Sequence, residues 1–217
     1  MSHENEDTNL TVLVTGFGAF QDIKINPSWE IVSQLPSSTT HKGQGIRIIT
    51  HPAPFKAAYH DLLNVVPKLL EQVSPDIVLH MGLAVERDYF AVEKGADRDG
   101  YHQYPDVARK VFTKVENKKV WGKSPARLDS CLELENVVGM WRAGAGKGTD
   151  VRMSDDVGAY VCGFVYYLTL EYFYRKGEKE KSILFMHVPP LNGEAEIEKG
   201  KRVTLAMIHA MAECSRK

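Results

Sequence analysis

Ser154–Phe173, SDDVGAYVCGFVYYLTLEYF, followed after a charged loop by Ser182–Val188, SILFMHV, decides the fold. From Tyr160 to Phe173 the residues are almost all apolar or aromatic around the whole circumference, and such a helix belongs inside a protein. Asp155, Asp156 and Gly158 ahead of it supply turn and cap chemistry. SILFMHV is a short apolar run, which reads as a strand buried on both faces. Leu10–Thr15 (LTVLVT), Ile46–Thr50 and Asp76–Gly82 (DIVLHMG) have the same character. Between them, Asn26-Pro27 is an N-cap followed by proline at the first helical position. A second helix is predicted from about Phe55 to Val73, with Pro67 expected to kink or split it. Strand and helix alternate, so the chain predicts an α/β domain with a largely parallel sheet. Glu86–Lys94 reads as a further strand, and Glu196–Cys214 as a terminal amphipathic helix. Ala96–Asp150 is the least regular part; about 115–149 reads as an irregular insertion or a lid.

The 217 residues suit one domain, 43% of them hydrophobic and 25% charged. A net charge of −1 gives no footprint for nucleic acid or a membrane surface, and neither partner is expected. No run of about 18 apolar residues predicts a membrane span. The polar, acidic start, residues 1–9, reads as a disordered tail rather than a targeting signal. Three cysteines, Cys131, Cys162 and Cys214, have neither metal-ligand spacing nor an even-numbered disulfide framework. No metal or cofactor is expected, and a reducing, cytoplasmic location fits.

Cys162 sits near the start of the apolar helix, where the helix dipole favours thiolate. A lone cysteine is more often a small buried hydrophobe, and on this stretch alone that is the default. A nucleophilic cysteine needs a base and a group that orients the base. His187 lies near the end of the SILFMHV strand, which a helix–strand unit brings back beside the helix start. His80, on the DIVLHMG strand, reads as a satisfied core histidine. Glu93 follows an apolar strand and is the candidate acid; Glu86 sits in a charged turn. Phe17 and Phe20 lie on the loop after the first strand, where α/β sheets bind ligands; closing the end of the core is an equal reading. Gly16 and Gly18 form a weak phosphate-loop signal, since no third glycine or Walker lysine follows.

Four blocks carry a resemblance to the pyroglutamyl peptidase I (pyrrolidone-carboxylate peptidase) family of cysteine peptidases. They are VTGFGAF with NPSWEIV (Val14–Val32), the segment from LHMG to VEK followed by Gly100-Tyr101, SDDVGAYVCGFVYY (Ser154–Tyr167) and FMHVPPL (Phe185–Leu191). The resemblance implies a three-layer α/β/α sandwich with a twisted, mixed sheet, phosphorylase/hydrolase-like in architecture. It implies a Cys-His-Glu triad of Cys162, His187 and Glu93, and an aromatic pair, Phe17 and Phe20, that holds a lactam ring. The substrates would be peptides with an N-terminal pyroglutamate. Ala19 and Gln21 stand where most members have proline and glycine, Ala159 where arginine or threonine is usual, and Gly163 where Asn, Asp or Glu is commoner. The longer 115–149 stretch resembles expanded fungal forms. A catalytically weak or inactive relative that binds modified peptide N-termini is the alternative; a nucleoside-phosphorylase-like enzyme would need a phosphate site.

Overall fold

The computed structural model describes residues 10–215; the expectation of a disordered tail over 1–9 lies outside the described residues. Nine strands and six helices are present among them. The strands β1 (Leu10–Thr15), β2 (Ser38–His41), β3 (Gln44–Thr50), β4 (Ile77–Leu83), β5 (Phe90–Glu93), β8 (Val151–Ser154) and β9 (Ser182–Val188) form a seven-stranded sheet in the order β2-β3-β1-β4-β9-β5-β8. β3, β1, β4 and β9 are mutually parallel, β5 runs antiparallel to β9, and β8 is parallel to β5. β6 (Gly95–Asp97) and β7 (Arg127–Asp129) make a small separate ribbon. The sheet is therefore mixed and mostly parallel.

The central strands are buried on both faces, and their side chains alternate between two cores with the period of two that a strand imposes. Val12, Val14, Ile77, Leu79, Met81, Leu184, Met186 and Val188 face one core. That core is covered by α1 (Pro27–Val32), α4 (Leu134–Gly144) and α6 (Glu194–Cys214). Leu13, Val78, Ile183 and Phe185 face the other, covered by α2 (Tyr59–Val73), α3 (Lys114–Trp121) and α5 (Val161–Lys176). Helices on both faces of the sheet make a three-layer α/β/α sandwich.

The polar stretch 36–45 holds β2, an edge strand hairpinned antiparallel onto β3. Its pairing partner, not its own polar sequence, makes it a strand. α2 starts at Tyr59 rather than Phe55 and runs unbroken through Pro67. Leu62, Val66 and Leu70 bury its inner face, and that packing outweighs the backbone bond that proline removes. The 115–149 stretch is mostly regular: it carries α3, β7 and α4, with Trp121 and Trp141 fully buried. Its polar helix faces and short elements hid that order. Glu86–Lys94 shortens to the four residues of β5.

Candidate active site

Parity along the strands places the groups expected to work together. His187 is two residues beyond Phe185 and four beyond Ile183, so it points to the α2/α5 side. In β5, Phe90 and Val92 face the opposite core, so Glu93 points to the same side as His187. Register does the rest. Ala91 pairs with His187 and Glu93 with Phe185, so Glu93 is the diagonal neighbour of His187 across an antiparallel pair. Diagonal positions are within reach of long side chains. His187 Nδ1 lies 2.7 Å from Glu93 Oε1. A carboxylate only accepts, so Nδ1 carries the proton and donates, which leaves Nε2 as the basic nitrogen.

Glu93 is fully buried and His187 is 5% exposed. Burial alone would raise the Glu93 carboxyl. The hydrogen bond and charge of His187 overcome it, with help from Ser154 and Arg87, and hold the group at about 2. Arg87 was not foreseen. Its Nη1 donates to the same Glu93 Oε1 at 2.6 Å, and its Nη2 donates to the Asp156 carbonyl at 2.8 Å. The sequence signal was the charged ERD turn just before β5.

Cys162 is the second residue of α5, in its first turn. Gly82 is the register partner of His187 on β4, and it is what admits the sulfur. A Cβ on Gly82 would lie 2.8 Å from Cys162 Sγ and 2.8 Å from Phe185 Cζ. Cys162 is partly buried, packed beside Gly82 and the α2/α5 core. Burial pushes the thiol up to about 12; the Glu93 charge adds to this and Arg87 opposes it. A helix dipole contributes about 0.3–1 kcal/mol at such a position, less than one pKa unit. The dipole therefore loses to burial, and the resting thiol is protonated. Only a base can make it nucleophilic.

The N-cap of α5 is Tyr160, with no side-chain cap, so Asp155 and Asp156 do not cap the helix. They shape the turn instead: Asp156 Oδ1 accepts from the Gly158 N–H at 3.1 Å, and Asp155 pairs with Arg127. Gly158 is left-handed, and its carbonyl would lie 2.2 Å from a Cβ on Gly163. That contact dictates glycine at 163, where the resemblance expected a longer side chain. Ala159 packs against Gly100, where an added Cβ would lie 3.0 Å from the Ala159 Cβ. Gln21, where glycine is common, has φ +47°, the left-handed region that glycine prefers.

Phe17 and Phe20 differ in setting. Phe17 is 3% exposed, and its ring meets Phe55 edge-on at 6.2 Å between centroids. Backbone bonds from Gly18 N to Phe55 O and from Phe55 N to Gly16 O lock the two loops together. Phe20 is partly exposed and pairs with Ile23. Phe55 was missed because nothing in HPAPF marks it as a partner of the first loop.

The sequence profile of the pyroglutamyl peptidase family matches residues 10–212. Pyroglutamyl-peptidase 1 of Rattus norvegicus is 28% identical over 208 residues, which is 95% of this chain and 91% of that protein. Pyrrolidone-carboxylate peptidase of Pyrococcus furiosus is 31% identical over 180 residues, 83% of this chain and 81% of that protein. A crystal structure of the pyrrolidone carboxyl peptidase of that hyperthermophile superposes with a TM-score of 0.78 at 24% identity, covering 94% of this chain and 99% of that one. At that identity the likeness speaks for the fold. It also leaves little of this chain uncovered, so the expected likeness to expanded fungal forms has no support. No helix among the described residues is long and apolar enough to cross a membrane. The chain belongs to the pyroglutamyl peptidase family.

Proposed function

We propose that this chain is a cysteine omega-peptidase that hydrolyses the amide bond after an N-terminal pyroglutamate. The observation that carries the reading is the buried His187–Glu93 pair, 2.7 Å apart, on the strand residue whose register partner, Gly82, seats the Cys162 sulfur. His187 Nε2 takes the thiol proton as Sγ attacks the scissile carbonyl carbon. The proton then passes to the leaving amine, the C–N bond breaks, and a thioester remains on Cys162. Water, deprotonated by the same nitrogen, releases 5-oxoproline and the free thiol. Glu93 fixes the ring tautomer and stabilises the imidazolium that forms in each half-reaction.

The first N–H groups of α5 have no partner within the helix, which leaves them free to donate to the oxyanion formed when Cys162 attacks. One such donor is worth about 2.7–4 kcal/mol in comparable sites. Partly exposed Phe20 and the Phe17–Phe55 pair, on the loops at the end of the first strand, offer flat apolar surface for a small uncharged lactam.

The test is release of a fluorophore from pyroglutamyl, prolyl and alanyl amides under reducing conditions. Pyroglutamyl-selective turnover is expected, with a loss of roughly 10³-fold or more in Cys162→Ala. No turnover from folded, reduced protein would refute the reading and favour a relative that binds without cleaving.

A further inference from the structure

Arg87 has no place in a Cys-His-Glu triad, yet its guanidinium touches two parts of the site. Arg87 lies in the turn between β4 and β5, held by its N–H to the Ala84 carbonyl, and Ala84 N–H in turn bonds to Val188 O at the end of β9. Its side chain is 17% exposed, and it donates to a carboxylate that is fully buried. The other arm of the fork reaches the carbonyl of Asp156, in the loop from β8 to α5 that ends at the cysteine. A planar fork with two bonds made in two directions fixes geometry in a way that a point charge does not.

We propose that Arg87 is a positioning residue: it neutralises Glu93 and ties that carboxylate to the loop that leads into the Cys162 helix. The inference rests on the reading of Cys162, His187 and Glu93 as the working groups. Neutralisation matters because a lone buried carboxylate would take its counter-charge from the imidazole ring. With Arg87 in place the carboxylate already has a counter-charge, and His187 stays free to accept the thiol proton. The groups facing the pair are Arg87 from the β4–β5 turn and Cys162 and Tyr166 from α5, with the Asp156 backbone opposite. Arg87 is the cation among them. The tether matters because the Asp156–Gly158 turn sets the Gly158 carbonyl against Gly163, one residue from the nucleophile.

The two roles separate in variants. Arg87→Met removes both, whereas Arg87→Lys keeps the charge and loses the fork. The first readout is the rate of Cys162 alkylation by iodoacetamide against pH, followed by mass spectrometry of the Cys162 peptide. The second is kcat and KM on the pyroglutamyl amide. In Arg87→Met the acidic limb of alkylation should move to higher pH by about one unit or more. Its kcat should fall roughly 10²-fold with KM little changed. Arg87→Lys should restore the limb while kcat stays about tenfold low. Alkylation needs no pyroglutamyl substrate. A limb that shifts in an enzyme without pyroglutamyl turnover therefore upholds Arg87 and refutes the substrate reading. Should Arg87→Met fail to fold, Arg87→Lys decides alone: wild-type kcat in that variant overturns the tether. An unmoved limb and a kcat within twofold of wild type in folded Arg87→Met would overturn the proposal.

Discussion

His80 and His187 sit on adjacent parallel strands, on the same face of the sheet, and both are buried. Their surroundings differ in one respect that decides what each can do. His80 is held between two hydroxyls, Thr15 Oγ1 at 2.7 Å from Nδ1 and Thr169 Oγ1 at 2.8 Å from Nε2. A neutral ring offers one donor and one acceptor, and two hydroxyls satisfy both. No charge faces it, so burial pushes its imidazole down to about 3, and it stays neutral. His187 has a carboxylate at Nδ1 and a glycine beside it that leaves room for a thiol. The strand makes a histidine buried; the partner on the next strand makes it structural or chemical.

The comparison breaks most readily at His187. His187→Gln should lower kcat/KM by roughly 10³-fold or more in folded protein, because the proposed mechanism routes both proton transfers through its Nε2. A smaller loss is expected at Glu93. Glu93→Gln keeps an acceptor near Nδ1 but removes the charge that stabilises the imidazolium, so kcat should fall roughly 10²-fold, read in the same assay. His80→Gln should show the opposite pattern: kcat/KM within about twofold of wild type, and about 1–3 kcal/mol lost in urea unfolding, because a threonine hydroxyl is left unpaired. If His80→Gln loses turnover and keeps stability, the assignment of the two histidines is reversed.

The smallest effect is the pH dependence that His80 imposes. Its folded pKa, about 3, lies below the unfolded value of 6.5, so the unfolded chain binds the extra proton between them. Stability from this group is therefore complete above pH 6.5 and is lost as pH falls, by about 1.4 kcal/mol per unit. Glu93 adds in the same direction lower down, its contribution present above 4.5 and lost towards about 2. Urea unfolding at pH 7 and 5.5 should show a steeper fall for wild type than for His80→Gln. Equal slopes would show that His80 charges without penalty in the fold.

Much of this was legible because it rests on local chemistry. Asn26-Pro27 caps α1 as its sequence demands, with Asn26 Oδ1 accepting from the Ser28 N–H. The buried strands were visible as apolar runs, and their parity is what puts Glu93 and His187 on one face. The α5 start at Val161 lies close to where the turn residues end. What was hidden depends on pairing partners far away in sequence. β2 is a strand because β3 lies beside it. Arg87 matters because Asp156, 69 residues later, turns its carbonyl towards it. The thiol's acidity was misjudged for the same reason. The helix start was readable from sequence, whereas the burial beside Gly82 that outweighs it comes from the tertiary fold.

The most direct test is to trap the covalent intermediate. Wild-type protein mixed with an activated pyroglutamyl ester, for which deacylation limits turnover, is quenched in acid and digested for mass spectrometry. The expected result is one pyroglutamyl group on the peptide containing Cys162, absent from Cys162→Ala. An acyl group on Cys131 or Cys214 instead, or none on any cysteine while ester is being hydrolysed, would contradict a Cys162 nucleophile and with it the role assigned to His187.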